Sequence, residues 1–211
     1  ALTVLDPTPD CPAAATAVRQ VRGSFRDYDD VLRAAAVGPS RPDAVTVEIE
    51  SVSVSALEQL ANDGVPVHPA PGVIRVIQDK LAQRQRAAAA GLPVPRFAEL
   101  PNAAKDPRGA AAAMQAFGLP AVQKLRYGVY DGRGVAVVTS IGETPRGGTD
   151  AEALGLPLAG ASLIEELVDI RREISVLVAR TPSGACRSYP PVEMEMDPEL
   201  HLVRAVLYPA D

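Results

Sequence analysis

The sequence predicts a protein in two parts, α/β at its start and α+β beyond. Three observations carry this. Short apolar strands alternate with short helices over residues 1–70, an order that calls for a parallel sheet. From residue 71 the texture changes to helix at a domain junction, and 71–211 forms the second part. Beyond residue 117 strand signals dominate and several adjoin turn residues, so an antiparallel sheet is expected there.

Along the chain, residues 2–5 form an apolar run closed by Asp6 and a proline-rich turn, and 28–37 carry apolar residues at helical spacing. Residues 44–49 read as a β-branched strand, 55–62 as a helix that Gly64 terminates, and VPVHP as a brief strand pinned by prolines. The run PGVIRVIQDKLAQRQRAAAAGLPVP is one or two helices stopped by Gly91. An Ala-rich helix over 107–117 follows. Strands are then expected at 121–125, 135–139, 162–168, 173–179, 187–193 and 202–208, with a loop and short helix in 141–160.

Composition narrows the function. With 211 residues, 47% of them apolar, the chain can bury a sizeable core. Its net charge of −5 provides no broad basic surface for a nucleic-acid backbone. Cys11 and Cys186 stand far apart, as do His68 and His201, which predicts a reducing compartment and no structural metal. No apolar run approaches the roughly 20 residues of a membrane span, and the start lacks a signal-peptide pattern, so a cytoplasmic protein is expected. The chain opens without Met on LTVLDP, like the second strand of a βαβ unit, and stops just after a strand. A fragment of a longer protein is expected.

Four stretches have residue types suited to chemistry. In QKLRYGVYDGRGVAVV, Gly128, Gly132 and Gly134 fit neither a P-loop nor a dinucleotide fingerprint, because no G-K-[ST] and no helix follow. Glycines at a hairpin tip let backbone N–H groups approach phosphate, although they serve a plain mobile turn equally well. Lys124 lies in the strand entering that tip, where it is either a solvated lysine or a phosphate contact. In LIEELVDIRREISVLVAR, strand alternation puts Glu165 and Glu166 on opposite faces. That segment suits either a charged turn or an adenine slot with a carboxylate for ribose hydroxyls. Glu48 and Glu50 in VTVEIESV share a strand face by their separation of two, as a surface pair or as ligand contacts at a strand's carboxyl end. Lys80, in IRVIQDKLAQ, stands near a helix start.

The order DPTPDCPA, VTVEIE, QDK, VQKLRYGVYDGRGVAVV, LIEELVDIRREISVLVAR and YPPVEME resembles the 5-(carboxyamino)imidazole ribonucleotide synthases of purine biosynthesis, which are ATP-grasp ligases. The likeness covers nearly the whole chain. It implies an ATP-grasp fold with a Rossmann-like pre-ATP-grasp domain over 1–70 and an ATP-grasp domain over 71–211, whose lid subdomain spans about 95–165. It implies carboxylation of 5-aminoimidazole ribonucleotide by bicarbonate and ATP through carboxyphosphate, in a cytoplasmic enzyme that is usually a homodimer.

By the same resemblance Lys80 and Lys124 contact ATP, and Val129, Tyr130, Asp131, Gly132, Arg133, Gly134 and Val135 form a lid over its phosphates. Glu165, Glu166, Leu167 and Val168 make the adenine hinge, and Glu173 holds the ribose. Tyr130, Asp131 and Arg133 also reach the reacting groups, and Glu48 or Glu50 approaches the ribonucleotide. Met196, in VEMEM, stands where many members have an ATP-contacting histidine, and Val129 where a glycine is common. The family's GGGQL-like turn and its two magnesium-binding glutamates have no counterpart in these 211 residues, so the Mg2+ ligands are expected beyond residue 211. A formate-dependent glycinamide ribonucleotide transformylase and a non-catalytic nucleotide-binding module are the alternative expectations.

Overall fold

The computed structural model describes residues 1–16, 19–36, 41–128, 134–142, 156–197 and 202–210. The chain divides into two compact units, Ala1–Val94 with Arg126–Gly128, and Pro95–Leu125 with Val129–Asp211.

In the first unit, β1 (Thr3–Asp6) pairs in parallel with β2 (Arg19–Arg22), and β3 (Val45–Thr46) pairs in parallel with β4 (Val67–His68). The parallel pairing expected from the strand–helix alternation is present. β2 escaped the sequence reading because RQVR has one apolar residue, Val21, and that residue alone of the four is buried. The strand expected over 44–49 is corrected to two residues. The backbone carbonyls that follow it turn to a side chain instead of a ladder: Gln78 Nε2 donates to the carbonyls of Glu50 and Val52, at 2.7 Å each.

Helices α1 (Tyr28–Ala36) and α2 (Val54–Asn62) pack on these strands. Apolar residues at helical spacing bury Val54, Leu57 and Leu60 of α2 against Val31, Val67 and Ile74. Gly64 ends α2 with a left-handed φ of 78°, a conformation glycine adopts without a Cβ clash. The next helical run is two helices, α3 (Pro71–Ile77) and α4 (Lys80–Ala89). It breaks at Asp79, whose extended backbone and carboxylate cap the first turn of α4.

In the second unit, β5 (Phe97–Leu100) is followed by α5 (Pro107–Phe117), β6 (Ala121–Leu125), β7 (Val135–Val138) and β8 (Ser162–Glu166). Among the described residues they form a four-stranded antiparallel sheet in the order β5-β8-β6-β7. β5 went unread because FAEL is short and bounded by prolines. The Asp106 side chain caps α5 by accepting from Gly109 N at 2.8 Å, and Gly118 closes it at φ 99°. Ala110, Ala111 and Met114 of the helix pack on Leu100, Ala121 and Ile164 of the sheet.

The remaining strands are β9 (Glu173–Ser175), β10 (Val178–Arg180), β11 (Cys186–Ser188), β12 (Val192–Met196) and β13 (Val203–Leu207). β9, β12 and β13 form an antiparallel sheet in the order β13-β12-β9, and β10 pairs with β11 as a hairpin. Two expected strands are thereby corrected. The run 173–179 is interrupted at 176–177, between β9 and β10. The run 187–193 is interrupted at Pro190 and Pro191, which lack the N–H a ladder requires. The helix expected within 141–160 falls largely on 143–155, outside the described residues.

Candidate functional site

The register of the four-stranded sheet sorts its side chains onto two faces. Ala121 pairs with Val138, Gln123 with Ile164 and Leu125 with Ser162, and these residues share the face covered by α5. On that face the buried amide of Gln123 donates to Ser162 Oγ at 3.0 Å and to the carbonyl of Leu158 at 2.9 Å. The opposite face carries Val122, Lys124, Val135, Val137, Leu163 and Glu165, since Lys124 pairs with Leu163 and Val122 with Glu165.

Lys124 and Glu165 are therefore diagonal neighbours on β6 and β8, and their side chains meet: Nζ lies 2.6 Å from Oε2. Glu165 is 4% exposed and Lys124 23%. A buried carboxylate needs a charged or hydrogen-bonding partner, and here it orients the ammonium. An ammonium has three N–H donors, so its bond to Glu165 leaves capacity for an anion on this face. The alternation expected at 165–166 is present: Glu166 is exposed, with Oε2 3.9 Å from Arg96 Nε.

The strand expected over 162–168 stops at Glu166, a correction that leaves Leu167 and Val168 exposed in the connection to β9. Their backbone groups lie past the β8 ladder, the arrangement an adenine edge would require. Glu173, half-buried in β9, pairs with Met194 of β12. Met196 is the last residue of β12, opposite Val203, beyond a bulge at Glu195. Arg172 Nη1 is 3.8 Å from Glu193 Oε2.

Gly128 and Gly134 adopt φ of 72° and 65°, and Val135 opens β7. Between these glycines Val129, Tyr130, Asp131, Gly132 and Arg133 lie outside the described residues. The strands flanking the segment, β6 and β7, are antiparallel partners, as a hairpin requires.

In the first unit, Lys80 is the first residue of α4, and its N–H donates to the Arg126 carbonyl at 3.1 Å. Beside it Asp79 gathers a cluster that the sequence reading missed. Arg126 donates through Nε to Oδ1 at 3.0 Å and through Nη2 to Oδ2 at 2.5 Å, while the Tyr127 hydroxyl donates to Oδ2 at 3.0 Å. Burial alone would raise the Asp79 pKa. The hydrogen bonds from Arg126, Tyr127 and a backbone amide outweigh it and hold the carboxyl below its ordinary value. The legible signal was the aspartate immediately before a helical run, a capping pattern. The Arg126 and Tyr127 contacts had no local signature.

Glu48 and Glu50 are both exposed, and they lie in the bend after β3 rather than within a strand, which corrects the shared strand face expected for them. Among the described residues no group of three or more His, Cys, Asp or Glu side chains is placed to hold a metal ion. Nor is any described helix long and apolar enough to cross a membrane.

Residues 85–208 match the ATP-grasp domain, and residues 1–78 match the ribonucleotide synthetase preATP-grasp domain. The chain is 39% identical over 192 residues to the N5-carboxyaminoimidazole ribonucleotide synthase of Mycobacterium bovis, covering 91% of this chain and 42% of that protein. Among solved structures it is similar to the N5-carboxyaminoimidazole ribonucleotide synthetase of Thermotoga maritima, with 32% identity and a TM-score of 0.71 over 91% of this chain and 46% of that one. It is also similar to the carboxyaminoimidazole ribonucleotide synthase of Aspergillus clavatus complexed with ATP, with 30% identity and a TM-score of 0.79 over 99% and 50% of the two chains. The chain spans about half the length of the relatives it matches.

Proposed function

The chain belongs to the ATP-grasp family, and on that premise we propose that its protein carboxylates 5-aminoimidazole ribonucleotide with bicarbonate and ATP in purine biosynthesis. The observation that carries this reading is the Lys124–Glu165 pair on the sheet face away from α5, in the strand that leads into the glycine-rich segment. Relatives with this named activity support it, at 39% identity in the case quoted above.

The chemistry suits such residues. Bicarbonate is a weak electrophile; its oxygen attacks the γ-phosphorus of ATP, the bond to the β-phosphate oxygen breaks, and ADP leaves. The resulting carboxyphosphate divides into phosphate and carbon dioxide. The amine of the ribonucleotide attacks the carbon dioxide and loses a proton, giving the carbamate. Positioning and charge neutralisation dominate catalysis of such a phosphoryl transfer.

We assign Lys124 and Lys80 to ATP. The adenine edge goes to the backbone beyond Glu165 and Glu166, at Leu167 and Val168, and the ribose hydroxyls to Glu173. Tyr130, Asp131 and Arg133 act on the reacting groups, and Val129, Gly132, Gly134 and Val135 complete the lid. Glu48 or Glu50 contacts the ribonucleotide. Met196 replaces a histidine at the nucleotide with an apolar thioether. Magnesium accompanies the ATP on side chains other than those described, and a homodimer is the proposed assembly.

The test is ADP formation by the full-length protein with bicarbonate and 5-aminoimidazole ribonucleotide, run beside formate with glycinamide ribonucleotide. Turnover confined to the first pair supports the assignment. Turnover confined to formate and glycinamide ribonucleotide, or nucleotide binding without turnover, replaces it with a transformylase or a binding module respectively.

A further inference from the structure

We propose that Asp79 is a positioning residue that clamps the entry to the glycine-rich segment onto the N-terminus of α4, setting nucleotide affinity through Lys80 and the Arg126–Gly128 stretch. The inference rests on the nucleotide reading above and goes beyond it, since Asp79, Arg126 and Tyr127 have no role there.

The carboxylate is saturated by the protein itself. Oδ1 accepts from Leu81 N at 3.0 Å and from Arg126 Nε, and Oδ2 accepts from Arg126 Nη2 and the Tyr127 hydroxyl. Four donors occupy the roughly four lone-pair sites of one carboxylate, so this group is committed to holding structure. Arg126 and Asp79 are mostly buried, with side chains 19% and 13% exposed, and the guanidinium also lies 5.0 Å from the centroid of the Tyr127 ring. A planar fork fits this bidentate geometry, which a lysine would not reproduce.

The clamp joins segments 47 residues apart. It acts on both sides of a functional pairing. The backbone N–H of Lys80, next to Asp79, donates to the carbonyl of Arg126, while Gly128 at φ 72° opens the glycine-rich segment two residues later. The stretch Arg126–Gly128 belongs to the first compact unit although the residues immediately before and after it belong to the second. The Asp79 contacts and the Lys80–Arg126 backbone bond tie that short stretch to the start of α4.

The experiment measures magnesium-ADP affinity by calorimetry, the KM for ATP and kcat, and the thermal midpoint, in the full-length protein. The variants are Asp79→Asn, Arg126→Gln, the double variant and Tyr127→Phe. Asn preserves a capping oxygen, and Phe removes one hydroxyl only, so folding survives in at least the latter. The expected result is a loss of ADP affinity of about tenfold in Asp79→Asn and in Arg126→Gln, with the double variant no worse than either, because both delete the same clamp. Tyr127→Phe is expected to lose less, in the same direction. Wild-type affinity in all variants, or a lowered midpoint without any change in affinity, overturns the clamp while leaving the nucleotide reading intact. A wild-type protein that binds no ADP overturns both.

Discussion

Lys124 and Glu165 meet diagonally across β6 and β8 at 2.6 Å, on the sheet face that α5 does not cover. Strand pairing brings together two residues 41 positions apart and sets the ammonium against a carboxylate only 4% exposed.

Lys124→Ala is expected to abolish ATP turnover and to cost on the order of 3 kcal/mol of stability, the low end for breaking a buried pair because Lys124 is partly exposed. Replacing both partners, as Lys124→Met with Glu165→Leu, should restore much of the stability but none of the turnover. Urea unfolding alongside ADP-release assays checks both halves. Turnover like that of the wild type in Lys124→Ala would remove the lysine from the site.

Asp79 gives a pH signature of known sign. Its folded pKa is below the ordinary 3.8, so the ionised carboxylate favours folding. This contribution is fully present above the unfolded value and is lost as pH falls through the lowered one. Arg126 faces the carboxylate and stays charged throughout, and Tyr127 stays neutral over acidic pH. The stability gap between wild type and Asp79→Asn should therefore be constant from pH 7 to about 5 and shrink below about 4. Urea midpoints measured down that range test it, and a gap that widens in acid refutes it.

The face opposite Lys124 depends on α5. Met114 is fully buried against the sheet, so Met114→Ala should cost about 2–5 kcal/mol through lost burial and an unfilled cavity. Asp106→Ala removes the cap to Gly109 and should cost about 1 kcal/mol. Denaturant melts read both, and neither substitution touches the charged face.

Gly118 separates backbone from packing effects. Apart from its immediate chain neighbours and the end of α5, no atom lies within 4 Å of where its Cβ would sit, yet its φ is 99°. Gly118→Ala is expected to cost about 1–3 kcal/mol from backbone strain alone. A variant as stable as wild type would show that the α5–β6 turn adopts another conformation at little cost.

Much of the fold was legible because periodicity records which side of an element is buried. The apolar spacing marked α1, alanine content marked α5, and Gly64 and Gly91 marked the ends of α2 and α4. Reading failed where pattern and pairing part. RQVR is too polar and FAEL too short and proline-bounded to stand out, and each is a strand only because a partner, β1 or β8, supplies its ladder. Glu48 and Glu50 lie in a bend whose following carbonyls, those of Glu50 and Val52, accept hydrogen bonds from Gln78 Nε2, 26 or more residues away, instead of from a neighbouring strand.

The candidate site divides the same way. The sequence by itself determined which residues are chemically apt and in what order they come: Lys80, Lys124, the glycines from 128 to 134, and the carboxylates from 165 to 173. It also determined that Glu165 and Glu166 diverge, since alternation is a local property of extended backbone. Only the tertiary structure decided that Glu165 is the buried one, that Lys124 is its partner, and that Asp79 is committed to Arg126 and Tyr127. Those outcomes depend on strand register and on contacts between residues 41 to 48 positions apart, and no local pattern encodes a distance across space.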